Sequence, residues 1–141
     1  MTPRQKDEDW DNRKAFPDCE AWYERCRERS LAFSRSVDFQ MDRAYGPNPR
    51  NRIDVLPGKP DLPTLFHIHG GYWQWNNRED YLCVGEAVHR IGLNTAFVEH
   101  TLAPDATMNE IVAEVRAGLS WFRLHRHEFG IENDDVVVSG H

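Results

Sequence analysis

Apolar positions recur at helical spacing in three stretches of the chain and fall into short alternating or unbroken runs in five others. In residues 18–34, Cys19, Trp22, Tyr23, Cys26, Ser30 and Phe33 lie three, four or seven apart, or adjacent on one face. With Asp18 after Pro17 as an N-cap, this spacing predicts an amphipathic helix. Val37–Met41 and Arg52–Leu56 read as two strands of a hairpin around the turn-rich Gly46-Pro47-Asn48-Pro49.

The rhythm changes after residue 60. Leu62–Ile68 is an apolar run with Pro63 near its start, read as a buried strand that ends in His69-Gly70-Gly71. A helix is predicted next, capped by Asn77 with Asp80 at the third position and striped by Tyr81, Val84, Val88 and Ile91 up to Gly92. Asn94–Glu99 is the following strand. Thr107-Met108-Asn109-Glu110 is a capping box opening a long helix through Ile111, Val112, Val115, Leu119 and Phe122, which Gly130 stops. The turn Glu132–Asp134 leads into Asp135–Ser139, whose β-branched run predicts a strand buried on both faces. Strand, helix, strand, helix, strand implies parallel strands with crossover helices, hence an α/β sheet with helices on both faces and sites at the carboxyl ends of its strands.

Composition bounds what this sheet can be. With 141 residues, 40% of them hydrophobic, the chain can build one core and not two, so it is a single domain or part of one. The net charge is −6. Residues 1–60 are nearly balanced and the acidic surplus falls in 61–141, so no basic stripe is present to neutralise phosphates. Nucleic-acid and anionic membrane partners are therefore not expected. No apolar run approaches the roughly 20 residues of a membrane span. Met1 to Trp10 lacks the apolar segment of a secretory signal, which makes a cytoplasmic location the expectation.

Cys19, Cys26 and Cys83 are odd in number and form no CxxC, so neither a disulfide framework nor a zinc knuckle is expected. Cys19 and Cys26 are about 10 Å apart along a helix and are read as core-facing thiols. His67 and His69 share a strand face, whereas His125 and His127 do not share a helix face. No third ligand joins either pair at a recognisable spacing, so neither a metal nor any other cofactor is expected.

Two strand ends carry the candidate chemistry. Acyl transfer develops an oxyanion, and each backbone N–H aimed at it contributes about 3–4 kcal/mol. Gly70 and Gly71 suit that task because no Cβ obstructs substrate approach. The last strand runs into Ser139-Gly140-His141, the beginning of a Gly-x-Ser-x-Gly elbow, and a serine is expected at position 142. Ser139 itself is a poor nucleophile candidate, since Val137 stands where the elbow needs glycine.

With His69-Gly70-Gly71, Leu102-Ala103-Pro104 and Gly140-His141 in this order, the sequence resembles the α/β-hydrolase superfamily, and within it hormone-sensitive-lipase-like esterases and arylformamidases. His69-Gly70-Gly71-Tyr72-Trp73 is similar to the HGGxW motif of kynurenine formamidases, and Tyr45-Gly46-Pro47 with Arg52-Ile53-Asp54-Val55 resembles their preceding segment. Glu99-His100-Thr101 departs from the Asp-Tyr-Arg of many esterases. The resemblance implies a mostly parallel α/β-hydrolase fold, of which residues 1–141 are the N-terminal half: a helical segment over 1–35, then 36–141 as the start of the sheet up to the elbow. It also implies a metal-independent serine hydrolase cleaving N-formylkynurenine to kynurenine and formate in tryptophan catabolism. The alternatives are a carboxylesterase on short acyl esters and a non-catalytic scaffold. In that scheme Gly70 and Gly71 form the oxyanion hole, and Tyr72, Trp73 and His141 line the substrate pocket. His69 braces the loop, and the acid and histidine of the triad lie beyond 141. The expected partner is a small aromatic formamide or ester, with homodimerisation left open.

Overall fold

The computed structural model describes residues 16–141, so the reading of the first ten residues and the part of the 1–35 segment before Phe16 lie outside the described residues. Helix α1 spans Cys19–Ser36. Strands β1 (Gln40–Ala44), β2 (Arg52–Leu56) and β3 (Thr64–Ile68) follow. A 3₁₀ segment, Arg78–Val84, runs into the short helix α2, Gly85–Arg90. Strand β4 (Asn94–Val98), helix α3 (Met108–His125), a 3₁₀ turn (Arg126–Phe129) and strand β5 (Val136–Gly140) complete the order.

The five strands form one sheet in the order β1-β2-β4-β3-β5. β3 pairs in parallel with both β4 and β5, while β2 is antiparallel to β1 and β4. Only β2 therefore opposes the common direction. Register aligns Val55, Ala96, Phe66 and Val138 in one row and Asp54, Phe97, His67 and Ser139 in the next. Because successive side chains point to opposite faces, the two rows serve different layers. The first face carries Ile53, Val55, Phe66, Ala96 and Val98 and packs with Phe122 and Leu119 of α3. The second places Leu56 and Phe97 against Phe33 of α1 and Leu82 of the 3₁₀ segment.

Several boundaries differ from the sequence expectation. The first strand begins at Gln40 rather than Val37, because Val37 closes α1 and, with Phe39, packs into the α1–sheet junction. The third strand begins at Thr64 rather than Leu62. Asp18 makes no side-chain cap bond; its backbone is already near-helical at φ −86°, ψ 8°, and the Cys19 N–H donates instead to Phe16 O at 3.0 Å. The predicted helix over 77–91 divides into the 3₁₀ and α2 pieces. Its buried face is Tyr81, Leu82 and Gly85, leaving Val84 and Ile91 exposed. A Cβ on Gly85 would lie 2.9 Å from the Phe97 ring, so this element approaches the sheet closely and shifts its apolar face.

β5 is not buried on both faces: Val137 and Val138 are 59% and 54% exposed. Among the described residues β5 has β3 as its sole neighbour and occupies an edge. The three cysteines are free and half-buried rather than in the core. Burial, together with the adjacent Cys83, pushes the Cys26 thiol above its ordinary range. The long helix matches its reading, with the Thr107 N–H donating to Glu110 Oε2 (2.7 Å), the Glu110 N–H donating back to Thr107 Oγ1 (3.3 Å), and Gly130 left-handed at φ 74°.

Candidate active site

The parallel direction of β3, β4 and β5 brings their carboxyl ends together, which places His69–Gly71, Glu99–His100 and Gly140–His141 at one rim of the sheet. A cleft of about 1520 Å³ opens there, with Gly70, Gly71, His100 and His141 in its floor and Trp22 of α1 in its wall. Cys19 also faces it.

The glycine loop is wound tightly. Gly71 has φ +124°, and Tyr72, Trp73 and Asn76 also take positive φ of 53°, 59° and 70°. Such a run in non-glycine residues persists only where surrounding contacts enforce it. Here Gly71 O accepts from the Gln74 and Trp75 N–H groups at 3.0 and 2.9 Å, and Trp73 O accepts from the Ala103 N–H at 2.8 Å. A Cβ on Gly71 would sit 2.1 Å from Trp75 O, and one on Gly70 2.3 Å from His141 Nδ1. Glycine is thus a steric requirement at 71, where backbone blocks a side chain, while at 70 the nearest obstacle is the His141 ring.

His69 lies beneath this loop, 5% exposed. Its Nδ1 donates to Gly70 O at 2.9 Å and its Nε2 lies 2.8 Å from Glu99 Oε1. The ring stacks on His100 at 4.5 Å with 9° between planes. A trans peptide points its C=O and N–H in opposite directions, so holding Gly70 O against His69 turns the Gly71 N–H away from the buried side.

Tyr72 and Trp73 stand out from the surface, 69% and 47% exposed, with ring centroids 5.4 Å apart. His141 lies between Trp22, stacked at 6.0 Å, and Tyr81 at 5.8 Å. The residues predicted as one constellation, His69 through Trp73 and His141, all border this cleft.

Sequence reading missed the group that organises the floor. Glu99, 2% exposed, receives the Arg50 Nη2 at 2.7 Å, the Arg78 backbone N–H at 3.0 Å and the His100 N–H at 3.1 Å besides His69. Burial alone would raise its carboxyl, but the hydrogen bond from His69, the Arg50 charge and the Arg78 N–H outweigh this and hold it below the usual range. Burial also lowers His100. Arg78 reaches the fully buried Asp54 at 2.9 Å, and burial pushes Asp54 up to about 6 despite that cation. A signal existed for Glu99, since an acidic residue closed a buried strand; none existed for Arg50, which sits in a turn.

His67 Nδ1 and Ser139 Oγ are 2.9 Å apart, a Ser–His contact between adjacent strands. It does not border the cleft, and burial, reinforced by His69 and His141, lowers His67 to about 4, so it is a cross-strand pair rather than a nucleophile and base. Among the described residues no group of three or more His, Cys, Asp or Glu is placed to hold a metal ion. No helix there is long and apolar enough to cross a membrane.

The sequence model of the BD-FAE family matches residues 56–141, the stretch from the end of β2 to His141. The chain belongs to the BD-FAE family. It is 32% identical over 108 residues to a kynurenine formamidase of Danio rerio, covering 74% of this chain and 36% of that protein. It is 26% identical over 125 residues to a Mycobacterium tuberculosis protein named probable carboxylic ester hydrolase LipM, covering 79% and 28%. A crystal structure from Silicibacter sp. TM1040 superposes with a TM-score of 0.82 at 18% identity, covering 94% of this chain and 49% of that one. The fold is that of the α/β hydrolases. This BD-FAE chain spans about a third of the length of the curated relatives it matches.

Proposed function

We propose that this chain supplies the oxyanion side of a serine hydrolase that deformylates an aryl formamide, N-formylkynurenine. One observation carries the reading: the strained Gly70-Gly71 loop, backed by His69, lies beside His141 at the rim where three parallel strands end. The nucleophile is a serine immediately after His141, on the turn leaving β5. It attacks the formyl carbon while a histidine farther along takes its proton and returns it to the departing aromatic amine, and an acid orients that histidine. The tetrahedral oxyanion accepts from the backbone N–H groups of the glycine loop and of the residue after the nucleophile. Water then releases formate.

The projecting Tyr72 and Trp73 rings give an aryl amine a flat apolar surface, which supports the formamide reading. The similarity to the zebrafish kynurenine formamidase supports it too. The similarity to LipM supports a second reading, a carboxylesterase on short acyl esters. Comparing kcat/KM for N-formylkynurenine and p-nitrophenyl acetate on the enzyme that includes position 142 separates the two. Deformylation exceeding ester cleavage is expected; good ester turnover without deformylation selects the esterase. A protein that turns over neither and stays unlabelled by a serine-directed sulfonyl fluoride is a non-catalytic scaffold.

A further inference from the structure

Arg50 lies in the turn between β1 and β2, remote in sequence from the glycine loop, yet its guanidinium meets acceptors on two rim segments. Nε donates to His100 O (2.9 Å), Nη1 to Asn77 Oδ1 (3.1 Å), and Nη2 to both Asn76 O (3.0 Å) and Glu99 Oε1 (2.7 Å). Asn76 and Asn77 end the glycine loop, and Glu99 and His100 begin the loop after β4. The carboxylate oxygen that Arg50 holds is the one that faces His69 Nε2, and His69 in turn holds Gly70 O. We infer that Arg50 is a positioning residue for the oxyanion loop, clamping Glu99 and Asn76 so that His69 fixes the Gly70–Gly71 peptide with its N–H toward the cleft. The inference rests on the reading of Gly70 and Gly71 as the oxyanion side.

Geometry separates this role from general stabilisation. The Arg50 side chain is 32% exposed and Glu99 is 3% exposed, so the guanidinium closes the charged cluster from the solvent side and joins the two loops there. Its planar fork reaches a carboxylate, two carbonyls and an amide at once; a lysine ammonium can neutralise Glu99 but cannot span both loops. Trp73 O keeps its own bond from the Ala103 N–H and Trp22 lies on α1, so loosening the clamp leaves these cleft walls in place while freeing the Gly70–Gly71 peptide to rotate. Loss falls on transition-state stabilisation rather than on substrate affinity.

The test uses the enzyme that includes position 142, with Arg50→Gln, Arg50→Lys and, as a surface control, Arg123→Ala, in the last turn of α3 and paired with Asp134 of the turn before β5. For whichever of p-nitrophenyl acetate and N-formylkynurenine the parent hydrolyses, Arg50→Gln lowers kcat by roughly 10²-fold with KM within about threefold, Arg50→Lys recovers part of it, and Arg123→Ala matches the parent. A folded Arg50→Gln or Arg50→Lys variant with parental kcat overturns the inference, even if its melting temperature falls. If the parent hydrolyses neither substrate, the hydrolase reading fails and the clamp is judged by ¹⁵N NMR of the histidine rings. The His69 ring N–H signal is then expected in the parent and lost or broadened in Arg50→Gln; identical spectra overturn the clamp itself.

Discussion

Gly71 and Gly70 differ in what blocks a side chain, and the difference gives an ordered prediction. At Gly71 the obstacle is the Trp75 carbonyl, backbone that cannot swing aside, and φ is +124°. At Gly70 the nearest obstacle is the imidazole of His141, although His141 O also lies 3.0 Å away. Gly71→Ala is therefore expected to lower kcat by at least ~10² in a folded protein and Gly70→Ala by less, as steady-state kinetics on the enzyme with position 142 would show. Equal effects would mean that loop conformation is not what the glycines protect. The glycine pair was legible because its chemistry is local: a missing Cβ after an apolar run is visible in six residues. Glu99 was visible only as a departure from a pattern, and Arg50 not at all, because its partners lie 26 to 50 positions away.

At the scale of elements, α1 is the less accounted for by apolar packing of the two long helices. Only Ser30 and Phe33 are buried on it. It is fixed instead by Ser30, whose hydroxyl donates to Asp80 O at 2.9 Å and accepts from the Cys83 N–H at 3.0 Å, and by Arg29 pairing with Glu86. Ser30→Ala leaves two backbone groups without that partner, so a cost of about 1–3 kcal/mol is expected, read as faster amide exchange in α1 with β3 and β4 unaffected. Helix α3 is held differently, by a fully buried Phe122 whose ring lies 6.3 Å from Phe66. Phe122→Ala should cost about 3–5 kcal/mol by urea denaturation and lower protection throughout the sheet. The sequence marked α3 correctly because capping box, period and glycine stop agree. It read the 3₁₀ segment as α-helix because the same Asn77–Asp80 capping signature opens both.

For the whole molecule, two buried titrating groups set opposing dependences on pH. His67 is lowered from 6.5 to about 4 by burial, so the unfolded chain binds the extra proton between those values. Its contribution is complete above about 6.5 and is lost as pH falls toward about 4. Asp54, raised from 3.8 to about 6 by burial, works in the other direction: its contribution is complete below about 3.8 and is lost as pH rises through about 6. His67→Gln should therefore flatten or reverse the loss of stability on acidification from pH 6.5 to 4.5, and Asp54→Asn should steepen it. Denaturant midpoints across that range check both, and unchanged slopes would place the linkage elsewhere.

The sequence by itself determined the α/β alternation, the long capped helix and the glycine loop that ends a buried strand. These follow from periodicity, capping and backbone freedom, which act over at most a few residues. Tertiary structure alone decided the order β1-β2-β4-β3-β5 among the described strands and the meeting of Arg50, Glu99 and His69. Those depend on which strands become neighbours and on the burial that follows, so an arginine in a turn joins the candidate site only once β2 has paired with β4.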